Sequence, residues 1–76
     1  MELNEFVQLF AEQFEDTPAT EITKDTKFKD LDEWSSLLAL SIIAMVDDEF
    51  DVSLNADDMK KSHTVEDIYN AVQAKL

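Results

Sequence analysis

The sequence contains no cysteine, no glycine and no arginine, with a single proline, Pro18, and a single histidine, His63. Without cysteine there are no disulfide staples and no thiolate zinc sites. Its absence leaves the compartment open. Without glycine there is no glycine-rich phosphate loop, and no nucleophile elbow, whose sharp turn needs glycine. His63 stands just before a helix cap, so the expectation is an ordinary loop residue and not half of a hydrolytic dyad. A long hydrophobic run is also missing: "LLALSIIAMV" falls well short of the ~20 residues that cross a bilayer. The opening "MELNEF" has neither the basic nor the apolar segment of a secretion signal. These absences predict a soluble, cytoplasmic, non-catalytic protein without a metal site.

What is present is apolar bulk and negative charge. Of 76 residues, 45% are hydrophobic, enough for one small core, so the expectation is a single domain over residues 1–76. Eighteen acidic residues face six lysines, for a net charge of −12. That balance disfavours nucleic acid and anionic membrane as partners. It favours basic protein surfaces, felt over roughly 8 Å in physiological salt. Solubility alone would explain the charge equally well.

Hydrophobic spacing predicts helices. Leu3, Phe6, Val7, Phe10 and Phe14 form one stripe over residues 3–15, ending before Thr17-Pro18. Residues 16–34 have no sustained period and only isolated anchors, Ile22, Phe28, Leu31 and Trp34. A loop of that length in a small domain is often functional. Ser35 suits an N-cap for a second helix of about 15 residues. Asn55 suits a cap for a short helix reaching Lys60 or Lys61. "TVED" has the form of a capping box that opens a last helix at Thr64, with Val65, Ile68, Tyr69, Val72 and Leu76 buried. The fold class is therefore all-α: a small bundle of three main helices plus one short helix.

The second helix carries the chemistry worth locating. "DEWSSLLALSIIAMVDDEFDV" sets two serines before an apolar decade and closes with a run of carboxylates. Asp47, Asp48 and Glu49 lie at the end of a helix that disfavours negative charge. They lack the central glycine and terminal glutamate of a calcium loop. At about 100° per residue, Ala39, Ile42, Ile43, Val46 and Phe50 share one face, read as core. Leu37, Ser41, Ala44 and Asp48 fall opposite, with Leu38 and Met45 on one flank and Leu40 on the other.

"SSLLALSIIAMVDDEFDV" resembles the segment around the Asp-Ser-Leu motif of acyl carrier proteins. Ser36-Leu37 matches the family's serine and leucine, and Asp47 to Val52 match its closing acidic and apolar run. Length, acidity, the long first loop and "TVEDIYNAV" extend the resemblance over the whole chain. It implies that Ser36 is the attachment site of 4′-phosphopantetheine, donated by coenzyme A through a separate transferase with magnesium. Acyl groups would then ride as thioesters on that arm. The resemblance implies as partners a phosphopantetheinyl transferase and acyl-processing enzymes with basic docking surfaces, meeting a monomeric carrier. Fatty-acid synthesis and specialised polyketide, peptide or lipopolysaccharide pathways are all open.

Three departures mark this chain. Ser35 stands where the family has aspartate, Trp34 where it has a small residue, and the upstream glycine is missing. Asp32 and Glu33 are candidates to supply the lost negative charge. The partner-docking surface is expected at Leu37, Leu38, Ser41, Met45, Asp47, Asp48 and Glu49. The competing expectation is an acidic helical interaction module, or a nucleic-acid mimic, in which both serines only cap a helix.

Overall fold

The computed structural model describes residues 2–76; Met1, the first residue of the expected domain, lies outside them. Four α-helices follow in order: α1 Leu3–Ala11, α2 Ser36–Phe50, α3 Ala56–Lys61 and α4 Val65–Lys75. Two short 3-10 turns, Ala19–Glu21 and Phe28–Asp30, punctuate the long first loop. The described residues contain no strand. α1 packs against α4 and α2, and α3 against α4. This is the expected bundle of three main helices and a short one.

Local hydrogen bonding explains three of the helix starts. The hydroxyl of Ser35 accepts the Leu38 amide at 3.3 Å. Asn55 and Asp58 form a reciprocal capping box on α3, and Thr64 and Asp67 form another on α4. Each satisfies amides that the first helical turn leaves unpaired. The loop is pinned to α4 by two backbone bonds, Val65 to the Thr26 carbonyl and Glu66 to the Lys24 carbonyl.

α1 stops four residues before its expected end. After Ala11 the chain tightens, with Gln13 bonding back to Phe10 and Phe14 to Ala11, three residues apart. The next amides point away from the helix toward Glu33, so they cannot continue it. Phe14 nevertheless stays buried and completes the stripe.

All seven aromatic residues join one network. Tyr69 meets Phe6 edge-on at 5.7 Å, Phe6 lies 6.1 Å from Phe50 and 6.2 Å from Phe10, and Phe10 meets Phe28 at 5.6 Å. The network ends at Trp34, 4.7 Å from Phe28 and stacked on Phe14 at 6.3 Å. Such ring pairs add to the stabilisation from burial. The aromatic packing therefore reaches to the residue immediately before the serine pair.

Two expectations about burial need correction. The core face of α2 is centred on Leu38, Ile42, Met45 and Val46, with Leu38 and Met45 only 9% and 7% exposed. Ala39, Ile43 and Phe50, expected in the centre, are partly exposed at its margin. The helix is thus rotated by roughly 70° from the expected setting, at ~100° per residue. α1 packs against α2, and because α2 is apolar nearly all round, such packing rather than its own period decides which flank turns inward. Leu38 and Met45 are accordingly core residues and are withdrawn from the docking surface. Leu76, expected in the α4 stripe, is 64% exposed at the chain end.

Candidate functional site

The site begins with the division of labour between two hydroxyls. Ser35 has extended backbone (φ −155°, ψ 172°) and turns its oxygen onto the Leu38 amide. Ser36 is the first residue of α2 and is exposed to solvent. A helix leaves its first amides without internal partners. Ser35 occupies that of Leu38, so the Ser36 and Leu37 amides remain for a ligand beside the Ser36 hydroxyl. The first turn carries no acidic side chain to oppose an anion there. An added phosphodiester on Ser36 would meet free N–H groups and the positive end of the helix dipole.

Of the two upstream carboxylates, Glu33 is engaged within the chain and Asp32 is not. Glu33 reaches back 16 to 18 residues and accepts four hydrogen bonds: the amides of Glu15 (2.7 Å), Asp16 (3.1 Å) and Thr17 (2.8 Å), and the Thr17 hydroxyl (2.8 Å). Burial alone would raise its carboxyl, but these bonds to Glu15, Thr17 and Asp16 outweigh it and hold the group below its ordinary value. Asp32 is exposed, and among the described residues it has no hydrogen-bond or ion-pair partner. The electrostatic substitution anticipated for Glu33 is replaced by a structural role.

Around Ser36, α2 presents an apolar strip edged by acid. Leu37 is 74% exposed and Leu40 62%. Leu40 lies one turn beyond Ser36, and Ala44, also exposed, follows one turn after Leu40. Leu40 was not among the expected docking residues; its full exposure depended on the rotation of α2. Ser41 is half-buried and folds its hydroxyl onto the Leu37 carbonyl at 3.2 Å. Asp47, Asp48 and Glu49 are exposed as expected. Glu12, the residue that caps the end of α1, lines the same concavity, a long-range addition the sequence did not reveal.

Charge on this face is uncompensated. The ion pairs Lys24–Asp25, Lys61–Asp57 and Lys75–Asp58 all lie off α2. Among the described residues no ion pair involves Asp47, Asp48 or Glu49. His63 is an exposed loop residue whose amide donates to Asp67 at 2.9 Å. No helix among the described residues is long and apolar enough to cross a membrane.

An all-helical bundle that offers a free serine at the start of its most apolar helix has the form of a carrier domain. The family model described as phosphopantetheine attachment site matches residues 4–72, nearly the whole chain, and the chain belongs to that family. It is an acyl-carrier-like domain, of a kind that bears 4′-phosphopantetheine, generally works without catalytic activity of its own, and is served by a transferase and acyl-processing enzymes. No curated protein and no solved structure matches the chain significantly.

Proposed function

We propose that residues 1–76 act as one monomeric carrier domain whose Ser36 holds the prosthetic arm. The observation that carries this reading is the pairing of an engaged Ser35 with an exposed Ser36 at the first position of α2. In the attachment step the Ser36 oxygen would bond to the pantetheine-side phosphorus of coenzyme A, the pyrophosphate P–O bond breaking to release adenosine 3′,5′-bisphosphate. The serine proton passes to a base on the transferase. The chain contributes an unhindered hydroxyl, two free amides and a positive helix end for the resulting phosphodiester. When bound, the group supplies a thiol on which acyl intermediates are held as thioesters.

Docking falls to the strip beside Ser36. Leu37, with Leu40 and Ala44, offers apolar contact, Ser41 lies at its edge, and Asp47, Asp48 and Glu49 attract a basic partner surface. Apolar anchors of this kind govern dissociation, whereas unpaired rim charges govern encounter. The partners fitting such a face are a phosphopantetheinyl transferase and acyl-processing enzymes of cytoplasmic fatty-acid or specialised synthesis.

The test is incubation with coenzyme A, magnesium and a broad-specificity transferase, followed by intact mass. A gain of one phosphopantetheine that disappears in Ser36→Ala supports the reading. No gain by wild-type protein in the presence of a modified positive control overturns it.

A further inference from the structure

The Glu33 carboxylate lies in a concavity of successive backbone amides, Glu15 to Thr17, at 2.7 to 3.1 Å. Such amide nests are anion sites, and here the anion is supplied by the chain itself. The clasp joins the loop that follows α1 to a residue only three positions before Ser36. Between them, Trp34 is held by Phe14 on one side and Phe28 on the other. The turn leading into α2 is thus fastened twice, by ring packing and by charge-assisted hydrogen bonds. No cation takes part among the described residues. Its neighbours along the chain and at the clasp, Asp32, Glu15 and Asp16, are acidic and exposed. Burial opposes the charged form of Glu33, and the four hydrogen bonds to its carboxylate outweigh that opposition.

A chain needing only a stable loop could close it with an uncharged residue. The placement of this amide-bound anion three residues before the serine-bearing helix points to a need for a fixed Ser36. We propose that Glu33 is a positioning residue: its clasp on Glu15–Thr17 sets where the α2 start, and hence the Ser36 hydroxyl, stands when a transferase engages it. The proposal rests on Ser36 being the attachment serine. It separates the two tasks of the surface. The strip at Leu37 and Leu40 governs binding, and the clasp governs alignment of the hydroxyl in the bound complex.

The experiment is steady-state kinetics of transferase on full-length wild type, Glu33→Gln and Glu33→Asp, with amide hydrogen exchange on the same samples. Glutamine keeps the length but places an N–H₂ against amide donors; aspartate keeps the charge but is shorter. The expected result for Glu33→Gln is native circular dichroism, loss of protection at residues 15–17, an almost unchanged KM for the carrier, and a kcat lower by roughly ten- to a hundredfold, the scale of a misplaced reacting group. Glu33→Asp should recover part of kcat. A Glu33→Gln carrier that loses protection yet keeps wild-type kcat overturns the proposal, as does a rise in KM alone. Should Glu33→Gln unfold, wild-type NMR decides: on acidification the amides of residues 15–17 and those of Ser36 and Leu37 should move at one common midpoint. Independent midpoints overturn the proposal. Modification of wild-type protein at another residue would instead overturn the Ser36 assignment, and the common NMR midpoint would still stand.

Discussion

The Ser35 hydroxyl accepts the Leu38 amide at 3.3 Å, and this bond leaves Ser36 as the free hydroxyl of the pair. Leu38 itself is buried, so the same bond ties the helix start to the core. One residue earlier, Leu37 is 74% exposed. Adjacent leucines therefore face opposite environments.

That contrast gives a sharp pair of substitutions. Leu37→Glu and Leu40→Glu should stay folded, with changes in stability within about 0.5 kcal/mol, as for other surface sites. Both should raise KM for the transferase. Leu38→Glu should unfold the chain, because an unpaired buried carboxylate costs as much as the whole ~5 kcal/mol that holds a small domain. Thermal melts and transferase kinetics on the three variants check this. Loss of folding in Leu37→Glu would show that the rotation of α2 is misplaced.

Acidic residues should act on encounter rather than on holding. Replacing Asp47, Asp48 and Glu49 by amides should slow association with a basic partner and flatten its dependence on salt, with a smaller change in dissociation. Stopped-flow binding at low and high ionic strength measures both. An unchanged association rate would remove these residues from docking.

Asp51 should be a weak point in the fold. It ends α2 in the left-handed region, at φ 55° and ψ 41°, and is the one described residue with positive φ. It also adds negative charge at a helix C-terminus already lined with acid. Asp51→Gly should stabilise the protein by about 0.5 to 1 kcal/mol, through relief of both effects. Urea unfolding checks the gain. A loss of stability would show that the Asp51 side chain makes a compensating contact.

The helix caps also set a pH dependence. Bonds from the His63 and Thr64 amides hold the Asp67 carboxyl below its ordinary 3.8 against the opposing effect of burial, and the Asn55 amide does the same for Asp58. Glu33 lies below its ordinary 4.5. A carboxyl depressed in the folded state contributes stability that is complete above its unfolded value and lost as pH falls through the folded one. Stability from these groups should therefore decline from about pH 4.5 downward. Asp67→Asn should be less stable at pH 7 and show a shallower acid decline. An equally steep decline would assign it to other groups.

How far the residues alone led can be seen from particular positions. Ser35, Asn55 and Thr64 were legible as caps because a cap depends on the type of one residue and its near neighbours. The anchors Ile22 and Phe28 were legible because an apolar residue in a polar loop is buried or wasted. The setting of α2 was not. "LLALSIIAMV" is apolar nearly all round, so its period is weak and packing against α1 decides which flank turns inward. Glu33 was equally hidden: a carboxylate that binds amides 16 to 18 residues away leaves no local pattern.

The most direct test of the carrier account is peptide mass spectrometry after modification of wild type, Ser35→Ala and Ser36→Ala by one transferase. The account predicts a single arm on Ser36 in wild type and none in Ser36→Ala. Ser35→Ala should still carry it, at a cost of about 1 kcal/mol in stability from the lost cap. An arm found on Ser35, or on a Ser36→Ala protein with native circular dichroism, would contradict it.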